Sequence, residues 1–249
     1  MRLWIIVVML ASAPALAQHH HDVDEGDRAA FGAGVMMLAA TYQNMLYAGN
    51  YEGVVPSLGW SNERFGAGIS AAFYRLEENG AAVYGLGDLV VHGQVTIVGD
   101  HAARAGVIAA VSVPIGDGIR GLGMGHVMVM PAAFGAWTID RVELVATAGY
   151  SRALGGGDHD HGPWPIVEPM NAEELTWSAG AILAITDEVH AGARVSGGVP
   201  FNEGGENRVI GALRGAWGTG RVSTGVEIQA GIAGDPFIVR GVLSTALIF

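Results

Sequence analysis

Hydrophobic and polar residues alternate along most of the chain, in segments of about ten residues separated by glycine and other turn-forming residues. In the last segment, Leu243, Leu247 and Phe249 fall on one face of an extended strand, while Arg240 and Ser244 fall on the other. An alternation of period two predicts β-strands with one apolar and one polar face. Such segments lie at 31–42, 51–60, 65–75, 86–98, 104–114, 125–137, 141–152, 175–185, 189–199, 208–217, 221–232 and 237–249.

The connections between these segments differ in length on the two sides. Short links such as SNER and TID follow the even-numbered segments, whereas longer links follow segments 3, 5, 7 and 9, the longest from Ala153 to Glu174. Outer-membrane barrels show this pattern, with short periplasmic turns and long outer loops. We therefore expect an all-β fold, a transmembrane antiparallel β-barrel of about 12 strands with both termini periplasmic. The alternative is a soluble β-sandwich or barrel.

Aromatic residues at the outward positions are predicted near the strand ends. Those expected at the periplasmic ends are Trp60, Phe65, Trp137, Trp217 and Phe249, and those expected near the outer ends are Phe73, Tyr150, Trp177 and Phe237. Aromatic rings favour the two membrane–water interfaces, so this distribution predicts two girdles around an apolar band.

The two ends of the chain indicate export to the bacterial outer membrane. Residues 1–17 have one Arg, a short apolar run and an A-x-A sequence, which predicts a cleaved signal peptide rather than a membrane anchor of ~20 apolar residues. We expect a His- and Asp-rich periplasmic tail at 18–30 and a single barrel domain at 31–249. A terminal Phe249 on an alternating strand resembles the C-terminal signal of outer-membrane barrels. The expected partners are therefore the lipid bilayer and the barrel-assembly machinery.

Composition removes several functional classes. The chain has no Cys, which excludes disulfides and Cys-based metal sites, and its formal net charge of −11 disfavours nucleic acid as a partner. It contains neither a G-x-S-x-G nor an H-E-x-x-H sequence. We therefore expect no enzymatic activity.

If one face of each strand meets lipid, the polar residues of the other face line the barrel interior. The lumen-lining residues expected from this parity are Asp88, His92, Gln94, Arg104, His126, Glu143, His190, Arg194, Arg208, Arg214, Glu227 and Arg240. Arginines facing acids set the transverse field of a pore. They can equally pair across neighbouring strands and serve only the barrel's shape.

Two histidine-rich segments suggest weak binding of divalent metals, without a resident cofactor. The candidate ligands are His19, His20 and His21 in QHHHD, and His159 and His161 in GGGDHDHG. Cleavage before Gln18 would make His20 the third residue, where its imidazole, the free amine and two amides can form a square-planar Cu(II) or Ni(II) site. The second segment offers nitrogen and oxygen ligands for Zn or Cu. The predicted topology puts the two segments on opposite sides of the membrane, so we expect two separate sites.

A third candidate site combines His126 with Met128 and Met130. Imidazole and thioether groups suit Cu(I). Methionine also fills irregular apolar space without any further role.

Two stretches resemble a known family. They are YGLGDLVVHGQVTI, Tyr84 to Ile97, and VSVPIGDGIRGLGMGHVMVMPAAFGAW, Val111 to Trp137. A GLGDL entering a strand, then a P-x-G turn, a glycine-rich loop and a Pro-containing strand, resemble the outer-membrane proteins named for the meta-pathway of phenol degradation. The resemblance implies an outer-membrane channel whose cargo is small hydrophobic or aromatic molecules, and it brings no catalytic residues. The alternatives are a metal-linked (Cu, Zn or Ni) barrel and a structural barrel without transport. We expect 116–125 to form a flexible outer loop.

Overall fold

The structure is a computed structural model. It describes residues 30–43, 48–99, 102–155, 170–201, 205–234 and 237–249. The expected signal peptide, almost all of the tail and the histidines at 19–21, 159 and 161 lie outside the described residues. No helix in the described part of the chain is long and apolar enough to cross a membrane.

Twelve antiparallel strands form one closed barrel, which confirms the fold predicted from the alternation. The strands are β1 (Ala30–Gln43), β2 (Ala48–Ser61), β3 (Phe65–Glu78), β4 (Ala81–Gly99), β5 (Ala103–Val113), β6 (Val127–Ile139), β7 (Val142–Leu154), β8 (Glu173–Ala184), β9 (Val189–Pro200), β10 (Arg208–Thr219), β11 (Val222–Ala233) and β12 (Phe237–Ile248). The barrel closes where β12 pairs with β1, from Gly32 opposite Ile248 to Tyr42 opposite Phe237. Closure leaves no open sheet edge, so backbone groups are satisfied internally, as a lipid environment requires.

The connections define two ends of the barrel. At one end, which we call the turn end, β1 begins, β12 finishes, and β6 joins β7 through Asp140 and Arg141 alone. At the other, the loop end, the connections include 114–126, 155–172 and 201–207. The predicted contrast between short and long connections is therefore present. That the turn end faces the periplasm stays a prediction.

The hairpin between β3 and β4 is longer than the alternation predicted. The expected long link after residue 75 is wrong, because β3 continues to Glu78 and β4 begins at Ala81. The turn consists of Asn79 and Gly80, with φ of 50° and 81°. Positive φ at both central positions is typical of a type I′ turn, whose twist matches that of the paired strands. The Asn-Gly pair was the sequence signal for this turn.

The outer face of the barrel is apolar along the middle of every strand. In β12, for example, Val239, Leu243 and Leu247 are exposed, while Arg240 and Ala246 between them are buried. Charged residues at outward positions of the described strands are all near the loop end: Glu52, Arg75, Glu77, Arg152 and Glu173. A charge at the lipid-facing midplane of a barrel costs about 2–4 kcal/mol, so this distribution suits a membrane.

The predicted aromatic girdles are present with one correction. Phe65, Trp137, Trp217 and Phe249 are exposed near the turn end, as expected. Phe237 was expected at an outward position, and that is wrong, because it is only 4% exposed inside the barrel. The pairing of β1 with β12 has an irregularity between residues 41 and 42, opposite Phe237. A bulge shifts the alternation by one residue, so counting by twos from the C-terminus fails beyond it.

Candidate functional site

The polar residues expected to line the lumen lie on the inner face of the barrel. Three of them, Gln94, His190 and Arg240, are buried. The other nine are partly buried: Asp88, His92, Arg104, His126, Glu143, Arg194, Arg208, Arg214 and Glu227. The side chains next to them along each strand are mostly the exposed apolar residues of the outer face. That these residues line a transport path stays a prediction.

Ion pairs on the inner face connect strands that are not neighbours. Arg104 on β5 donates from Nη2 to Glu143 Oε1 on β7 at 2.6 Å, across β6. Arg194 on β9 donates to Glu227 Oε1 on β11 at 2.9 Å, across β10. Such pairs fit only the concave side of a closed sheet, where the side chains of alternate strands converge. Part of the predicted polar set therefore pairs within the lumen.

A third pair of the same kind includes a residue that parity counting missed. Arg208 on β10 donates to Glu174 on β8, across β9. The Glu174 side chain is fully buried, and its Oε2 also accepts a hydrogen bond of 2.6 Å from Asn171 Nδ2. The alternation had placed Glu174 in a loop. Its parity with the inward Ser178 on β8 was the available signal.

Glu227 lies beside two arginines and forms an ion pair with one of them. Arg214 on β10 lies directly opposite Glu227 in the β10–β11 register, and Arg194 forms an ion pair with the same carboxylate. Among the described residues, no carboxylate forms an ion pair with Arg214. Together with Ile182 and Ala212, these three residues border a small cavity on the inner face. This part of the wall therefore carries two cations and one anion.

The opposite wall of the lumen is apolar and aromatic. Buried there, on β1, β2, β3 and β12 and on the connection after β5, are Met36, Leu38, Ala40, Tyr42, Tyr51, Val55, Ala72, Tyr74, Leu76, Leu122 and Phe237; we call this set the aromatic wall. The Tyr51 and Tyr74 rings meet edge to face with centroids 6.5 Å apart. No tyrosine was predicted to line the lumen. The outward parity of Trp60 already implied that Tyr51, on the same strand, faces inward.

We call the inner face of β5 to β11, which carries Arg104, Glu143, Glu174, Arg194, Arg208, Arg214, Glu227 and Gln229, the polar wall. Arg240 joins the aromatic wall to this polar wall. Its Nε donates to Gln229 Oε1 at 2.7 Å, and its Nη1 donates to Tyr51 Oη at 3.3 Å. Its guanidinium also lies 4.4 Å from the centre of the Phe237 ring, a cation–π contact. The aromatic wall is therefore fixed by a charged group.

The connection after β5 folds into the barrel and is held by Asp88. The Asp88 carboxylate accepts hydrogen bonds from the backbone N–H groups of Gly116, at 3.2 Å, and Met124, at 2.8 Å. Between them, Gly121 (φ 72°) ends a single 3-10 turn, and Leu122, 1% exposed, packs into the aromatic wall. The expected flexible loop at 116–125 is thus a segment anchored by Asp88, with Leu122 buried inside the barrel.

The candidate metal ligands fall into two groups. Those of the histidine-rich segments lie outside the described residues. Within the described part of the chain, no three His, Asp or Glu side chains converge as ligands of one ion. His126 and Met128 do come together, with Nε2 and Sδ 3.2 Å apart.

Comparison with known proteins bears on the fold. No protein-family model and no curated protein sequence matches the chain. The structure is similar to that of an outer-membrane channel from Pseudomonas putida F1, with a TM-score of 0.71 and 10% identity over 93% of this chain and 100% of that one. It is also similar to the KdgM porin (TM-score 0.54, 7% identity, 86% and 98% of the two chains). The translocator domain of the autotransporter NalP from Neisseria meningitidis is a further match (TM-score 0.56, 12% identity, 90% of each chain). These likenesses show that the chain has the fold of an outer-membrane β-barrel.

Proposed function

We propose that this chain is an outer-membrane channel through which small hydrophobic or aromatic molecules pass. The observation that carries the proposal is the division of the barrel interior into an aromatic wall and a wall of arginines and acids. The apolar and aromatic side chains on one side of the interior match the chemistry of a cargo that carries an aromatic ring.

Tyr74 is the residue of the aromatic wall with the clearest part in this proposal. Its ring lies against Gly53 and Gly87, where a Cβ on either glycine would overlap it. It also contacts Tyr51 edge to face. The two glycines thus let the ring lie flat against the wall, in the same buried cluster as Leu122.

The nature of the lumen also separates this proposal from the saccharide porins of similar fold. The KdgM porin is known in complex with disordered oligogalacturonate. In the present chain, tyrosines and aliphatic side chains cover one side of the interior. Such a surface favours cargo with apolar area to bury over fully hydroxylated sugars.

Uptake by whole cells tests the proposal. A strain that lacks its other porins would express the full chain, and uptake of a labelled monocyclic aromatic alcohol and of a labelled pentose would be compared with a strain carrying the empty vector. We expect aromatic uptake to rise several-fold and pentose uptake to rise less. Equal uptake of the aromatic compound with and without the protein would overturn the proposal.

A pair of neighbouring residues supplies matched variants for the same assay. Tyr74→Ala removes a ring from the lumen, whereas Phe73→Ala removes one from the lipid-facing surface, where Phe73 is 48% exposed. We expect Tyr74→Ala to change the ratio of aromatic to pentose uptake and Phe73→Ala to leave it unchanged. The same ratio in both variants would argue against passage along the aromatic wall.

A further inference from the structure

A cluster of methionines and one histidine lies inside the barrel, and the proposed channel makes no use of it. In the sequence MGHVMVM, Met124, His126, Met128 and Met130 recur at every second position. Extended backbone places such residues on one face, and in β6 that is the inner face, with Met128 fully buried and Met130 6% exposed. Met124 and Met170, the latter just before β8, pack against the cluster formed by Ala110, Met128 and Met130.

The donor atoms of this cluster are already close together. His126 Nε2 lies 3.2 Å from Met128 Sδ. A nitrogen and a sulfur that bind one metal at about 2.0 and 2.3 Å are about 3–4 Å apart. The imidazole and the thioether therefore need little movement to share an ion.

Small side chains on the flanking strands leave room for the methionines. Met130 lies opposite Ala110 on β5, and Met128 lies opposite Ser112 on β5 and Ala153 on β7. The nearby carboxylate, Asp88, is engaged by the backbone N–H groups of Gly116 and Met124. The donors at hand are thus neutral sulfur and nitrogen atoms, in a place shielded from bulk water.

We propose that His126, Met128 and Met130 bind one soft monovalent cation, Cu(I) or Ag(I), with Met124 and Met170 beside them. Thioether and imidazole ligands select Cu(I), whereas Mg(II), Ca(II) and Mn(II) prefer carboxylate and carbonyl oxygens. The methionines would then be ligands as well as packing groups.

Titration of the full chain with Ag(I) in detergent tests the proposal. The parent protein for the test has alanine in place of His19, His20, His21, His159 and His161, so that these residues do not compete for the ion. We expect one Ag(I) per chain with micromolar or tighter affinity. We also expect Cu(I), kept reduced and measured against a chromophoric chelator, to displace it.

Leucine variants separate sulfur ligation from packing. Met128→Leu with Met130→Leu keeps the apolar volume, which proteins tolerate well, but removes both sulfurs, so we expect at least a tenfold loss of affinity. Met36→Leu is the matched control, because Met36 is also buried inside the barrel but belongs to the aromatic wall, and we expect no change. If the double variant fails to fold, His126→Leu carries the test with the same expected loss.

Two results would overturn the proposal: no Ag(I) binding by the parent protein, or unchanged binding in the Met128→Leu, Met130→Leu variant when it is folded. Neither result depends on transport. The metal site and the channel can therefore fail independently of each other.

Discussion

At the scale of single residues, Glu227 supplies the negative charge beside two arginines of the polar wall. It accepts a hydrogen bond of 2.9 Å from Arg194 and lies opposite Arg214 in the register. Its carboxylate is the nearest counter-charge for two guanidinium groups. Replacing it by the neutral amide of glutamine removes that negative charge and leaves both arginines in place.

We therefore predict that Glu227→Gln makes the channel more selective for anions. The reversal potential across a bilayer in a KCl gradient is expected to shift towards the chloride potential. Glu52→Gln is the control, because Glu52 is at an outward, exposed position near the loop end, and we expect no shift from it. The same reversal potential in the Glu227 variant and the parent would show that ions do not pass this wall.

The polar residues of the lumen could be predicted from parity because every second position of a strand faces the same way. Arg104, Arg194 and Glu227 were found in this manner, and each lies on the inner face. The aromatic wall was not found, because only polar residues were taken as lumen-lining, although the outward parity of Trp60 and Phe73 implied that Tyr51 and Tyr74 face inward. Phe237 was assigned to the wrong face, since a bulge in the pairing is not visible in the alternation.

At the scale of elements, two connections at the loop end differ from the loops predicted from the sequence. The link between β3 and β4 is a two-residue turn, and the link between β5 and β6 folds inward onto Asp88. Twelve strands could be placed from the alternation because lipid and lumen impose opposite demands on neighbouring residues. The turn at Asn79 and Gly80 had a sequence signal in its Asn-Gly pair that the alternation does not register. The conformation of the second connection could not be predicted, because it depends on a contact with another strand.

For the turn, we predict that Gly80→Ala destabilises the barrel by about 1 kcal/mol. Gly80 has φ of 81° and nothing within 4 Å of an added Cβ, so the cost is backbone strain of about 1–2 kcal/mol without a steric clash. Gly215→Ala is the control, because an added Cβ there also meets nothing and its φ is not positive. Urea unfolding in lipid vesicles measures both. Equal midpoints would contradict a turn that requires positive φ.

For the inward segment, we predict that Asp88→Asn loosens the connection, so that trypsin cleaves more readily after Arg120, whose side chain is already exposed. Asp88 uses both of its oxygens to accept backbone hydrogen bonds, whereas asparagine has one acceptor oxygen. Mass spectrometry of a limited digest should show faster cleavage after Arg120 than in the parent. Asp140→Asn, in the turn between β6 and β7, is the control and should digest like the parent. Unchanged cleavage after Arg120 in the Asp88 variant would show that the carboxylate does not hold the segment.

At the scale of the whole molecule, the barrel reverses the usual arrangement of a soluble protein. Large apolar side chains such as Leu58, Leu213 and Ile228 are exposed on the outer face, while arginines and acids lie inside. A lipid bilayer removes the cost of the exposed apolar surface, and closure of β12 onto β1 removes every open strand edge. The aromatic wall opposite the arginines supports the proposal that small aromatic molecules pass through the interior.

The most direct test is a single-channel recording of the full chain in a planar lipid bilayer. A lumen with charged residues along one wall predicts discrete conductance steps in KCl, with transient blocks when an aromatic alcohol is added. Incorporation of the protein would be checked by co-flotation with lipid vesicles. A bilayer that stays electrically silent with folded protein incorporated would contradict a channel and leave a structural barrel.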